Sequence, residues 1–106
     1  MFVAINYISC QTEYRSRFEQ LFASRAGAID HMPGFVRMKV LRPTKQDERY
    51  LIVSEWHSEQ AFKDWSKSDA FTAGHKRGFA DLEAARARGD EPPMRSEFRT
   101  YEVITE

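Results

Sequence analysis

The sequence predicts an α+β fold, a four-stranded antiparallel sheet with its helices on one face. Three observations carry this expectation. Four short segments alternate in the two-residue rhythm of strands and are rich in β-branched and aromatic residues. Between them, apolar residues recur at three- and four-residue steps. Turn-forming residues divide these segments into the order strand, helix, strand, strand, helix, strand.

Residues 2–9 form the first strand, with Val3, Ile5 and Tyr7 on one face and Phe2, Ala4, Asn6 and Ile8 on the other. Thr12 is placed to cap the helix that follows. Tyr14, Phe18, Leu21, Phe22, Arg25 and Ile29 then recur as one helical face. Met32-Pro33-Gly34 ends it, because proline disfavours the α conformation before it and glycine permits the turn. Residues 35–42 and 49–57 flank the polar turn Pro43–Glu48, giving a hairpin. Ser58 caps a short helix holding Ala61, Phe62 and Trp65, and Ser68 opens another with Phe71, His75, Phe79 and Leu82 on one stripe. Residues 83–95 are charged and carry Gly89 and Pro92-Pro93, so the helix is expected to fray into a loop there. The last strand runs from about Ser96 to Thr105. The order is ferredoxin-like.

One domain spanning 1–106 accounts for the whole length. Apolar residues make up 42% and aromatics 13%, enough for a packed core and too rich for disorder. Sixteen Lys+Arg balance sixteen Asp+Glu, which argues against binding nucleic acid or an anionic membrane surface. No apolar run reaches the ~18 residues of a membrane span, and no signal peptide is evident, so a cytoplasmic location is expected. The single Cys10 excludes an internal disulfide.

Helices cover one face of such a sheet, yet the strands carry large apolar residues on both: Val3, Ile5 and Tyr7 oppose Phe2, Ala4 and Ile8, and Tyr50, Ile52 and Trp56 oppose Leu51 and Val53. The uncovered face calls for a partner, and a second copy is the least demanding one. A homodimer with sheets face to face, a dimeric barrel, is expected.

Phosphate loops, GxGxxG, HExxH, CxxC and GxSxG are absent. What remains are polar residues where apolar ones belong. His75 lies four residues from both Phe71 and Phe79, on one stripe. It is either a neutral core histidine satisfied by a backbone carbonyl or a metal ligand lining an apolar cavity. Gly74 and Gly78 flank it mid-helix, where each costs about 1 kcal/mol relative to alanine; they admit a flat ligand or simply tight packing. Asn6 sits on an otherwise apolar strand face, as a sheet-bonded amide or as a donor to a ligand. Trp65 has ordinary core spacing and equally suits a cofactor wall.

Together these residues resemble a family. Asn6, Met32-Pro33-Gly34-Phe35, Trp56 and the run Ser58 through His75 (SEQAFKDWSKSDAFTAGH) are similar to the small heme-degrading monooxygenases of the IsdG type, within the antibiotic-biosynthesis-monooxygenase superfamily. Val40-Leu41-Arg42-Pro43 with Glu48-Arg49-Tyr50 looks like the mycobacterial branch, and SKSDAFTAGHK like the staphylococcal one. The resemblance implies a catalytic set of Asn6, Trp65 and His75. His75 would be the proximal ligand to heme iron, with Phe71 and Phe79 walling the macrocycle. Asn6 would donate a hydrogen bond toward dioxygen on the distal side, and Trp65 would press the porphyrin out of plane. Phe22 and Arg25, on the first helix, would line the pocket, Arg25 as a propionate partner or as a snorkelling rim residue. Heme would serve as substrate and activating cofactor at once. Dioxygen and an external reductant or reductase would complete the reaction, opening the ring and releasing iron and a bilin-type product. His31, His57 and Cys10 are expected to take no part. In the family, the segment matching Glu83–Arg95 closes over the heme edge; a solvated linker is the plainer reading. Other functional classes remain open: a heme store without turnover, a cofactor-independent oxygenase acting on an aromatic substrate, or a structural dimerisation domain.

Overall fold

A computed structural model describes residues 1–24 and 27–106. Strand β1 (Phe2–Cys10) leads through a 3-10 turn (Thr12–Tyr14) into α1 (Arg15–Ala23). A second 3-10 turn (Ala28–His31) precedes β2 (Phe35–Leu41) and β3 (Tyr50–Trp56). Helices α2 (Glu59–Ser66) and α3 (Asp69–Ala87) follow, then β4 (Met94–Glu102). The sheet order is β2-β3-β1-β4 with every neighbouring pair antiparallel, the ferredoxin-like arrangement expected.

Both caps inferred for the second helical region are present. The Ser58 and Ser68 hydroxyls accept from the backbone N–H groups of Ala61 and Phe71, three residues on. The first helix departs from expectation. Thr12 caps nothing; it lies inside the 3-10 turn. The apolar periodicity from Tyr14 to Ile29 does not mark one continuous helix either, since α1 stops at Ala23 and Gly27 adopts φ 75°, a left-handed conformation that ends helical winding. Ile29 is nevertheless buried, delivered by the second 3-10 turn. Helix α3 runs through Ala87 rather than fraying at 83, and Gly89 (φ 77°) turns the chain toward β4, which begins at Met94. Alanines at 84, 85 and 87 favour the helix here despite the density of charge.

Alternation along the two central strands places Phe2, Ala4, Ile8, Tyr50, Ser54 and Trp56 on the helix-covered face, all buried. The core divides in two. Phe2, Ala4, Ile29 and Trp56 form one cluster; Ile8, Phe18 and Tyr50 form the other. Asn6 lies between Ala4 and Ile8 on the same face and is only half-buried, so the sheet floor opens where the two clusters part. On the opposite face Val3, Ile5, Tyr7, Leu51 and Val53 are all partly exposed and covered by no element. Ion pairs between Arg37 and Glu55 (3.0 Å) and between Arg49 and Glu97 (2.8 Å) lie at positions of that face. No described helix is long and apolar enough to cross a membrane.

Candidate active site

The gap between the core clusters is a pocket of about 530 Å³, within the range of small-molecule and cofactor sites. Asn6, Phe22, Trp65, Phe71, His75 and Phe79 all line it. Six of the seven residues inferred from sequence thus meet in one place; the seventh, Arg25, lies outside the described residues. Strand β1 supplies Asn6 from below, α1 supplies Phe22, α2 supplies Trp65, and α3 brings its Phe71-His75-Phe79 stripe over the top.

His75 has the backbone-carbonyl partner of one alternative and the place in an apolar cavity that the other requires. Its Nδ1 lies 2.7 Å from the carbonyl oxygen of Phe71, one turn back on α3. A carbonyl only accepts, so Nδ1 carries the proton and donates. In the neutral ring Nε2 therefore keeps its lone pair, and among the described residues it has no hydrogen-bond partner. A backbone carbonyl that fixes the tautomer behind a ligating imidazole is a common arrangement in metal sites. The ring stacks on Phe71 (centroids 4.0 Å apart, planes 27° apart) and on Phe79 (5.4 Å, 25°). Phe79 is 50% exposed.

Asn6 makes no side-chain hydrogen bond to any described residue, although an amide on an apolar face ordinarily has partners. Its neighbours in register are Ile52 on β3 and Phe98 on β4, neither of which has a side chain able to satisfy it. Trp65 packs against Trp56 (5.4 Å), Phe62 (5.9 Å), Phe71 (5.0 Å) and His75 (5.9 Å). The two tryptophans differ in one respect: the indole N–H of Trp56 donates to the Ser54 hydroxyl at 3.0 Å, whereas that of Trp65 is buried with no partner among the described residues. A buried unsatisfied donor costs about 1–3 kcal/mol.

Sequence reasoning missed part of the wall. Ile29, Met38, Phe62, Ser96 and Phe98 also line the pocket. Phe98 lies 45% exposed and stacks flat on Phe62 at 5.5 Å and 15°. Only the β1–β4 register, which places Phe98 beside Asn6, reveals it. Gly74 lies in the wall, and a Cβ there would meet nothing within 4 Å. Cys10 is half-buried beyond this pocket, and burial pushes its thiol up to about 11, the inert state expected.

An apolar slot with an imidazole lone pair in one wall and an unpartnered amide in its floor suits a flat, metal-bearing ligand. The comparisons with known proteins point the same way. Residues 1–77 match the model of the antibiotic biosynthesis monooxygenase family, and the chain belongs to that family. Among its relatives is the mycobilin-producing heme oxygenase of Mycobacterium tuberculosis, 40% identical over 70% of this chain and 72% of that protein. The staphylobilin-producing heme oxygenase of Staphylococcus epidermidis is 33% identical over 99% of this chain and 95% of that one. The structure of MhuD, a heme-degrader from M. tuberculosis with two hemes bound in its active site, superposes with a TM-score of 0.73 at 29% identity, covering 100% of this chain and 98% of the other.

Proposed function

We propose that this chain is a heme-degrading monooxygenase, one domain over 1–106, which binds heme through His75 and opens the porphyrin with dioxygen and externally supplied electrons. The observation that carries this reading is His75 itself. Its Nδ1 is committed to the Phe71 carbonyl, and its Nε2 lies in the wall of an apolar pocket whose floor holds Asn6, neither with a hydrogen-bond partner among the described residues. The known activities of the mycobacterial and staphylococcal relatives support it.

The pocket fits heme in shape and in donor set: aromatic faces, an open glycine wall at Gly74, one imidazole donor and one amide. Bound there, heme supplies the redox-active macrocycle, and it is the substrate as well. His75 presents its Nε2 lone pair, and the Phe71 carbonyl holds the tautomer and ring orientation. Phe71 and Phe79 flank that donor with aromatic rings. Asn6 supplies a hydrogen-bond donor from the sheet side, with no competing partner among the described residues. Trp65, packed against Trp56 and Phe71, would form a firm wall for a bound macrocycle. Electrons come from a separate reductant, since a chain with one thiol of raised pKa has no dithiol couple to offer. A reducing, cytoplasmic setting suits both that need and the free cysteine. The uncovered sheet face bearing Val3, Ile5, Tyr7, Leu51 and Val53 supports a homodimer, which light scattering on the eluting peak would reveal as twice the 12.4 kDa chain mass.

The test is a hemin titration followed by ascorbate and catalase in air. A saturating Soret band that His75→Ala abolishes, and that bleaches with release of iron, is expected. A stable band that never bleaches would make the protein a heme store. Absence of binding would refute the reading and turn attention to aromatic substrates.

A further inference from the structure

The pocket half of α3 is lightly held by apolar packing. The one fully buried residue of the helix is Ala85, near its far end, while Gly74 faces open space and Phe79 is half-exposed. Phe71 and His75 pack on Trp65, which holds the pocket side of the stripe, and something else must hold the opposite flank.

A polar clamp does so. The Arg77 guanidinium takes three acceptors where α1 ends: Nη1 donates to the Ser24 hydroxyl (3.0 Å), and Nη2 donates to the carbonyl oxygens of Leu21 and Ser24 (2.9 Å each). The carbonyls of a last helical turn lack internal partners, and a cation there also meets the negative end of the helix dipole. One turn along α3, Asp81 accepts from Arg17 Nε (2.9 Å) and Tyr14 OH (2.7 Å), at the other end of α1. Burial works against the Asp81 charge, but the bonds from Arg17 and Tyr14 outweigh it and hold the carboxyl below its ordinary value. Arg77 and Asp81 therefore grip both ends of α1 from one flank of α3. At about 100° per residue, Arg77 lies roughly 200° around the helix from His75, and Asp81 the same from Phe79. The grip is on the flank away from the pocket stripe, where it resists rotation of α3 about its own axis.

We propose that Arg77, seconded by Asp81, is a positioning residue: it sets the roll of α3 and with it the direction in which His75 Nε2 meets a bound metal. The proposal rests on the reading of His75 as the heme ligand. Rotation of the helix would swing the imidazole laterally, and loss of a supporting contact around a ligand typically costs 10–100-fold in affinity.

The experiment compares wild type, Arg77→Gln, Arg77→Lys, Asp81→Asn and His75→Ala by three readings on the full chain: thermal melting of the free protein, hemin affinity by absorption titration, and the electron paramagnetic resonance of the ferric complex. All are made below the lowest melting transition. In Arg77→Gln we expect hemin affinity about tenfold weaker, with a broadened or doubled ferric signal showing mixed ligand geometry. Arg77→Lys, which keeps a donor to the carbonyls, should recover part of the affinity. Asp81→Asn, a second variant that leaves Arg77 in place, should show the same signature more weakly. Wild-type affinity and a single unchanged signal in both Arg77→Gln and Asp81→Asn would overturn the proposal, as would melting changes with no spectroscopic change. Failure of the underlying reading looks different: wild type and His75→Ala would then give the same titration and the same spectrum.

Discussion

Gly74 and Gly78 stand mid-helix in α3, each at a position where alanine would be favoured by about 1 kcal/mol. Their surroundings separate two reasons for keeping a glycine. A Cβ on Gly74 would meet nothing within 4 Å, and Gly74 lines the pocket; a Cβ on Gly78 would sit 3.6 Å from Met94 Cε, an ordinary contact outside the pocket. Neither substitution is strained in the free protein. Both Gly74→Ala and Gly78→Ala should therefore stabilise it by about 0.8–1 kcal/mol, raising Tm by roughly 4–8 °C for a domain of this size. Hemin binding should part them. A methyl on Gly74 projects from the wall that a planar ligand lies against, and such overpacking costs about 1–3 kcal/mol, or roughly 5- to 150-fold in affinity. Gly78→Ala should bind as wild type does. Calorimetric melts and parallel hemin titrations decide the matter. Wild-type affinity in Gly74→Ala would refute the argument that this glycine clears space for a ligand, and a lowered Tm would refute the claim that nothing opposes its side chain.

Four further outcomes are expected. Asn6→Val replaces an unpartnered amide on an apolar face, so it should leave Tm unchanged or higher while turnover falls about tenfold or more; unchanged turnover would remove Asn6 from the mechanism. Gly34 holds φ +80° and its Cβ would come within 2.5 Å of Ala61 Cβ, so Gly34→Ala should cost about 2–5 kcal/mol by combining left-handed strain with a clash against α2; a drop of under ~1 kcal/mol in urea unfolding would contradict this. Hydrogen bonds from Arg42 and Tyr50 hold the Glu19 carboxyl down to about 2 from its ordinary 4.5. A depressed folded-state pKa gives stability that is complete above the unfolded value and lost as pH falls toward 2, so the Tm gap between wild type and Glu19→Gln should close from about pH 6 to about pH 2, whereas a constant gap would show that charge is irrelevant. Cys10, its thiol raised to about 11 by burial, should react with iodoacetamide at pH 8 far more slowly than a free thiol; rapid labelling of the native protein would show that it is neither buried nor protonated.

The parts of this fold that local chemistry dictates could be read from the sequence. Ser58 and Ser68 announce α2 and α3 because a hydroxyl can satisfy a helix start only from one position. The His75 stripe follows from helical spacing, and Asn6 stands out because its neighbours on the strand face are apolar. The break in the first helix was not legible. Leu21, Phe22 and Ile29 keep helical spacing across it, and glycine permits a left-handed turn without requiring one. The continuation of α3 past Glu83 was obscured by charge that lies on solvent and therefore opposes nothing. Phe98 and the Arg77 clamp depend on which elements become neighbours, a matter of register and tertiary packing that no local pattern encodes.

The sheet order also has a kinetic consequence. Strand β1 is central, yet one of its two neighbours is β4, the last strand of the chain, and Asn6 meets Phe98 across about ninety residues of sequence. Pairings this distant carry a larger loop-closure cost than the hairpin of β2 and β3 or the α2–α3 turn. A nascent chain that has already made Asn6, Trp65 and His75 still lacks the strand that completes the pocket floor beside Asn6. Until β4 docks, β1 remains an unpaired edge on one side, open to association with other chains. The pocket floor beside Asn6 is thus complete only once strands from opposite ends of the sequence have met.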